Sequence, residues 1–320
     1  MKIIFIKGVK VFVVTRARAL LWAVLLGHVC CASGCRHKAG REVVVYASQD
    51  QIFAAPLFEE FTRDTGIAVK AVFDSEAVKT VGLVNRLIAE APNPRCDIFW
   101  NNEEFRTRVL ERRGVLRAAR PWAAFGERRR VLVVNTNLVA PSRWPRGMVE
   151  LTNVSWRGKV AFSYPMFGTT ASHFMVLHSR WGERDWEAWC RAFAGNAPKM
   201  VDGNSVAARW VARGEVEVAL TDSDDLEMVL RAGAPVAGIS LLEEGLVIPN
   251  TVAVVRGAPN PDEAEALFQY LLGKAALQKL TTAGALHESL QRGMAEPVDW
   301  RKIFGSHDRV LAQLKELFLR

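Results

Sequence analysis

Residues 43–73 read V-V-V-Y-A-S-Q-D-Q-I-F-A-A-P-L-F-E-E-F-T-R-D-T-G-I-A-V-K-A-V-F. V-V-V-Y is a short apolar run, suited to a buried strand. Residues 52–66 carry apolar side chains at helical spacing and close on Gly66, a helix stop. Residues 67–73 alternate as a second strand. Outward from there, 77–90 predicts a helix with Val81, Val84, Leu87 and Ile88 on one face, broken by Asn93-Pro94. C-D-I-F-W (96–100) predicts a third strand. Strands alternating with helices at this spacing predict βαβ units around a parallel sheet. Ligands of such sheets sit beyond the carboxyl ends of strands. Here those ends are Ser48–Asp50, Asp74–Glu76 and Trp100–Glu103.

The rhythm resumes further on. R-V-L-V-V-N-T (130–136) predicts a strand, and the Pro-, Trp- and Arg-rich 140–158 interrupts. A second α/β set has strands at 159–165, 199–201 and 216–221, with helices near 170–180, 183–194, 205–213 and 225–231. A long strand at 245–255, helices at 261–273 and 274–283, and a basic tail complete the chain.

The formal charge is +8. Five basic residues and no acid lie in residues 1–34, so removing that segment brings +8 to +3. No remaining basic cluster is dense enough to track phosphates, which argues against nucleic acid as a partner. R-R-R at 128–130 reads as a solvated face. The apolar run 19–29 is shorter than the ~20 residues a spanning helix needs. A basic front followed by a short apolar core predicts an export signal over 1–34. The remaining cysteines, Cys35, Cys96 and Cys190, show no metal-binding spacing.

A-S-G-C (32–35) resembles the lipobox of bacterial lipoproteins, which implies cleavage before Cys35, lipid on its thiol, and a tether over 35–41. V-V-V-Y-A-S-Q-D, D-I-F-W-N-N-E, F-G-T-T-A, G-E-V-E-V-A-L-T-D-S-D-D and L-V-I-P-N-T-V-A-V-V-R-G-A-P-N-P resemble the substrate-binding proteins of bacterial ABC importers. The branch is the one holding ferric-iron, thiamine and aminophosphonate binders. The resemblance implies an α/β, two-lobed periplasmic binding protein fold of type II, with ligand in the inter-lobe cleft. Lobe 1 would be 42–134 with 247–320, lobe 2 would be 135–246, and strands near 131–137 and 245–252 would cross between them. It implies a monomeric carrier without cofactor, lipid-anchored on the periplasmic side of the inner membrane, that closes on its ligand and delivers it to a permease and ATPase.

Candidate ligand residues fall at the strand ends. Ser48, Gln49 and Asp50 form the first lobe's ligand loop, with Trp100, Asn101, Asn102 and Glu103 at the neighbouring end. Trp100 offers a ring face worth roughly 0.5–2 kcal/mol to a cation, or else packs in the core. Tyr164, Gly168, Thr169 and Thr170 surround a helix N-terminus, where free amides favour an anion unless Thr169 caps its own helix. Asn204 faces the cleft or caps the next helix. Asp222, Asp224 and Asp225 crowd the end of the strand 216–221. They suit a helix dipole, or a positively charged ligand. The EF-hand pattern fails at Leu226. G-N-S-V-A (203–207) lacks the final glycine of a nucleophile elbow. A metal-dependent hydrolase using the three aspartates is the enzymatic alternative. Ferric-iron binders of this branch carry adjacent tyrosines at this strand end, and this chain does not. Iron would need Tyr46, Glu103, Tyr164 and Asp222. A cationic or zwitterionic ligand, thiamine or its phosphates, is the main expectation.

Overall fold

The computed structural model describes residues 3–6, 9–12, 40–73, 79–287 and 297–319. The signal's apolar run, Cys35, most of the tether, and Asp74–Glu76 lie outside the described residues. Contacts divide the chain into Met1–Arg41 and Glu42–Arg320. In the first unit, β1 (Ile3–Ile6) and β2 (Val9–Phe12) pair as an antiparallel hairpin. No helix among the described residues is long and apolar enough to cross a membrane.

The second unit begins with the expected alternation. Its strands and helices are β3 (Glu42–Ala47), α1 (Gln51–Thr65), β4 (Ala68–Phe73), α2 (Lys79–Glu90), β5 (Ile98–Asn101) and α3 (Glu104–Arg112). Strand β3 pairs in parallel with both β4 and β5. Helix α1 stops as read: Gly66 turns left-handed at φ 71° and its N–H donates to the Thr62 carbonyl. Ala54, Leu57, Phe58 and Phe61 form its buried face.

Strand β6 (Trp122–Asn135) begins upstream of the predicted 130–136. Residues 122–129 pair with β11 (Val247–Val254), whereas Arg130–Val134 pair with β9 (Val218–Asp222). The strand therefore changes partner inside R-R-R, upstream of the expected crossing at 131–137. The second sheet half continues through β7 (Val160–Ser163) to β8 (Lys199–Val201), with β10 (Val236–Ser240) also on β6. Helices α4 (Gly168–Trp181), α5 (Glu183–Gly195), α6 (Asn204–Ala212) and α7 (Ser223–Arg231) belong to this half. Helices α8 (Pro261–Leu271) and α9 (Lys274–Ala283) return to the first.

Each sheet half is buried on both faces. In the first, Phe58, Trp100 and Phe268 lie in one apolar cluster and Leu83, Phe99 and Leu110 in another. In the second, Phe162, Phe174 and Trp186 share one cluster and Ala208, Val211 and Val229 another. Covering both faces is what removes polar alternation from strands such as β7.

The basic tail is a helix, α10 (Trp300–Phe318). It touches both sheet halves. Phe318 packs against Phe162, Phe174 and Phe193 of the second half, while Trp300 and Phe304 stack on Phe105 of α3. Ile303, Val310 and Leu314 recur at helical spacing, a stripe the basic residues between them disguise.

Candidate functional site

The first lobe's strand ends are joined by short polar bonds. Ser48 Oγ donates to Asn101 Oδ1 at 2.8 Å and accepts from the Asn102 N–H at 2.9 Å. Asn101 Nδ2 donates to Thr107 Oγ1 at 3.0 Å. Both side chains are fully buried, and their bonds fix the two loops against each other. Gln49 is buried too, with Oε1 lacking a hydrogen-bond partner. Glu103 caps α3: Oε1 accepts from the Arg106 N–H at 3.0 Å, and Ser172 Oγ reaches Oε2 at 3.4 Å. Burial pushes its carboxyl up.

Trp100 presents no ring face to the cleft. It is 0 % exposed, lies between Phe58 and Phe125 with centroids at 5.7 and 5.6 Å, and donates from Nε1 to Asn250 Oδ1 at 3.0 Å. Tyr46 points the other way from the strand end. Its hydroxyl donates to Glu90 Oε2 at 2.9 Å and Arg86 covers its ring. The set Tyr46, Glu103, Tyr164 and Asp222 is thus not assembled, because neither Tyr46 nor Glu103 reaches the cavity where Tyr164 lies.

Asp222 meets cations of its own chain. Strand β9 delivers it, but into a clamp. Arg130 Nη1 donates to Oδ1 at 2.6 Å, Arg128 Nη1 to Oδ2 at 3.1 Å, and Thr169 Oγ1 to Oδ2 at 2.8 Å. Asn204 Nδ2 adds a fourth bond at 3.3 Å. Burial alone would raise its pKa, yet Arg130 and Arg128 hold it below the ordinary carboxylate range. R-R-R is therefore no solvated face: Arg128 and Arg130 are 4 % and 1 % exposed. The signal was available, since residues two apart in a strand share a side, and two cations on one face of a buried strand require acids opposite.

The clamp also changes the helix-terminus reading. Gly168 and Thr169 do open α4, but the anion held by Thr169 is the protein's own Asp222. Asn204 does not cap α6; its Oδ1 accepts from Arg130 Nη1 at 3.1 Å and from the hydroxyl of Ser163 or Thr170. Thr170 is fully buried and also bonds Ser163 Oγ at 2.5 Å.

Beside the clamp opens a cavity of about 380 Å³. Of the expected residues, Asp50, Asn102, Tyr164, Gly168, Thr169, Asn204, Asp222, Asp224 and Asp225 line it; Ser48, Gln49, Trp100, Asn101, Glu103 and Thr170 do not. Asp202, Ser163, Ser205 and Arg128 complete the polar wall, and Met166, Phe167 and Leu319 make an apolar one. Leu319, just beyond α10, was out of reach of any strand-end argument.

Asp224 and Asp225 behave unlike Asp222. They occupy the first turn of α7, as the dipole reading expected. Burial raises the Asp224 pKa to about 6, against the pull of Arg128 and with the charges of Asp222 and Asp50 adding to it. Asp225, whose Oδ2 accepts from Thr221 Oγ1 at 2.8 Å, is pushed well up by burial and by Asp224 and Asp222. One oxygen from each of the three aspartates lies within 4.8 Å of the others, a spacing that could hold a metal ion. The nearest charged group is internal, since Arg128 Nη1 lies 3.1 Å from Asp224 Oδ2.

A fold of two sheet halves sharing β6, with an acidic cavity at their strand ends, defines a binding protein of the two-lobed periplasmic class. Residues 42–285 match the family described as bacterial extracellular solute-binding protein, and the chain belongs to it. The major ferric iron-binding protein of Neisseria gonorrhoeae is 22 % identical over 272 residues, 76 % of this chain and 79 % of that one. The Fe(3+)-binding periplasmic protein of Serratia marcescens is 23 % identical over 291 residues, 80 % of this chain and 81 % of its own. Iron-bound HitA of Pseudomonas aeruginosa superposes with a TM-score of 0.75 at 17 % identity, over 87 % of this chain and 99 % of that one. AfuA of Actinobacillus pleuropneumoniae, with fructose-6-phosphate bound, gives 0.74 at 18 % identity, over 88 % and 99 %. At these identities the structures show the fold, and the two ligands differ in charge sign.

Proposed function

We propose that this chain is the solute-binding component of an ABC importer and that its cargo is ferric iron. It would be held at the periplasmic side of the inner membrane by lipid on Cys35 and hand its cargo to a permease after lobe closure. The carrying observation is the cavity wall itself: Asp50, Asp202, Asp224, Asp225 and the phenol of Tyr164 surround one space. Anionic oxygen donors of that kind suit a hard trivalent ion. The relatives named for ferric iron support the reading. Asp224 and Asp225 stand where adjacent tyrosines were expected in iron binders, so carboxylates would replace phenolates as ligands.

The experiment is metal analysis of purified protein, followed by titration with ferric citrate in the wild type and Asp224→Asn. Iron in the preparation, or uptake that the substitution weakens, supports the proposal. Protein that takes up no ferric iron refutes it.

A second reading is favoured by the cavity's size and its apolar side. About 380 Å³ is room for a small organic molecule, and Met166, Phe167 and Leu319 would pack against a hydrocarbon or ring. An organic cation such as thiamine fits that description. Its phosphates fit less well, because Asp222 already occupies Thr169 and Asn204. Calorimetry with thiamine in the same series separates the two.

A further inference from the structure

Arg128 has a place that the cation reading alone does not explain. Its Nη1 lies 3.1 Å from Asp222 Oδ2, and 3.1 and 3.4 Å from the two Asp224 oxygens. Its Nη2 donates to the Asn102 carbonyl. Asn102 follows β5 of the first sheet half, whereas both aspartates belong to the second, so one guanidinium spans the cleft. Each of these partners is an oxygen acceptor. Its Nε has no hydrogen-bond partner, so the guanidinium is held by its terminal nitrogens alone.

We propose that Arg128 is a specificity-determining residue acting as a tethered competitor cation: its guanidinium fills the oxygen-lined position between Asp222, Asp224 and Asn102, and cargo binds by displacing it. The inference rests on the cation reading of the site. Asp222 does not lose its neutralisation in the exchange, because Arg130 Nη1 stays 2.6 Å from Oδ1. Asp224 and the Asn102 carbonyl are released to the cargo. Only a cation that gains more from these oxygens than the guanidinium does can enter. A trivalent ion meets that threshold, whereas the more abundant divalent ions, with less charge for the same oxygens, do not. The exchange also severs the Arg128–Asn102 link between sheet halves, which couples occupancy to the lobe angle.

The test compares wild type, Arg128→Gln and Arg128→Lys. Each is first checked for folding by circular dichroism, then titrated calorimetrically with Mn²⁺, Ca²⁺ and ferric citrate. Removing the competitor is expected to raise Mn²⁺ and Ca²⁺ affinity about tenfold or more in Arg128→Gln, as befits a close buried charge pair. The lysine cannot bond Asp224 and the Asn102 carbonyl with a planar fork, so Arg128→Lys should gain less but still exceed wild type. Should Arg128→Gln not fold, the lysine variant decides. Unchanged divalent affinity in a folded variant overturns the proposal. So does a loss of ferric binding, since Arg128 would then be holding the cargo. Wild type that ignores ferric iron, with Arg128→Gln taking up Mn²⁺, would overturn the iron reading and keep the exchange.

Discussion

Asp222→Ala is expected to damage folding more than the cavity. The carboxylate neutralises two arginines, with Arg130 at 2.6 Å and Arg128 at 3.1 Å, and its side chain is only 2 % exposed. Removing one member of a buried ion pair typically costs about 3–5 kcal/mol, because the partner charge stays desolvated. Arg128 keeps Asp224, so the loss should fall at the lower end, about 3 kcal/mol. That is a large share of the ~5–15 kcal/mol by which domains are stable. At ~2–4 °C per kcal/mol, it lowers the melting temperature by about 6–12 °C. Urea unfolding followed by circular dichroism measures it, as a lower midpoint at unchanged slope. Asp225→Asn is the internal control. Its Oδ2 accepts from Thr221 Oγ1 and it forms no ion pair with Arg128 or Arg130, so the amide removes no partner of a buried cation. The control should lose less than about 1 kcal/mol. A loss below about 1 kcal/mol in Asp222→Ala, or equal losses in the two variants, would refute the clamp.

Cation affinity should depend on pH through Asp224. Below its pKa of about 6 the carboxyl carries a proton and no charge, so binding weakens as pH falls through 6 and reaches full strength above it. The slope is up to about tenfold per unit for one displaced proton, readable by calorimetry from pH 5 to 8. Trp100→Ala should cost about 3–5 kcal/mol of stability by leaving a core cavity, whereas Trp100→Phe should leave ligand affinity unchanged. Tyr164→Phe should weaken ferric binding and bleach any phenolate-to-iron absorbance, while Tyr46→Phe changes neither. Phe318→Ala, which removes α10's anchor against Phe162 and Phe174, should cost about 3–5 kcal/mol in urea unfolding.

Local patterning was enough to read the strand–helix rhythm and which loops sit at strand ends. Apolar periodicity and stop signals such as Gly66 are local, so residues 42–101 dictate their elements wherever they pack. It also placed Asp50, Asn102, Tyr164, Gly168, Asp224 and Asp225 at those ends, and all of them line the cavity. Tertiary structure decided which charges met. Arg128 and Asp222 are 94 positions apart, and nothing local to either says that β6 and β9 will lie side by side. The same holds for Tyr46, which is at a strand end but on the face that looks toward Glu90, and for α10, whose apolar stripe finds its partner on the second half. A carboxylate's chemistry is set by the charge and solvent within a few ångströms of it. The chain's order fixes its neighbours along the backbone, and only the packed sheet fixes the others.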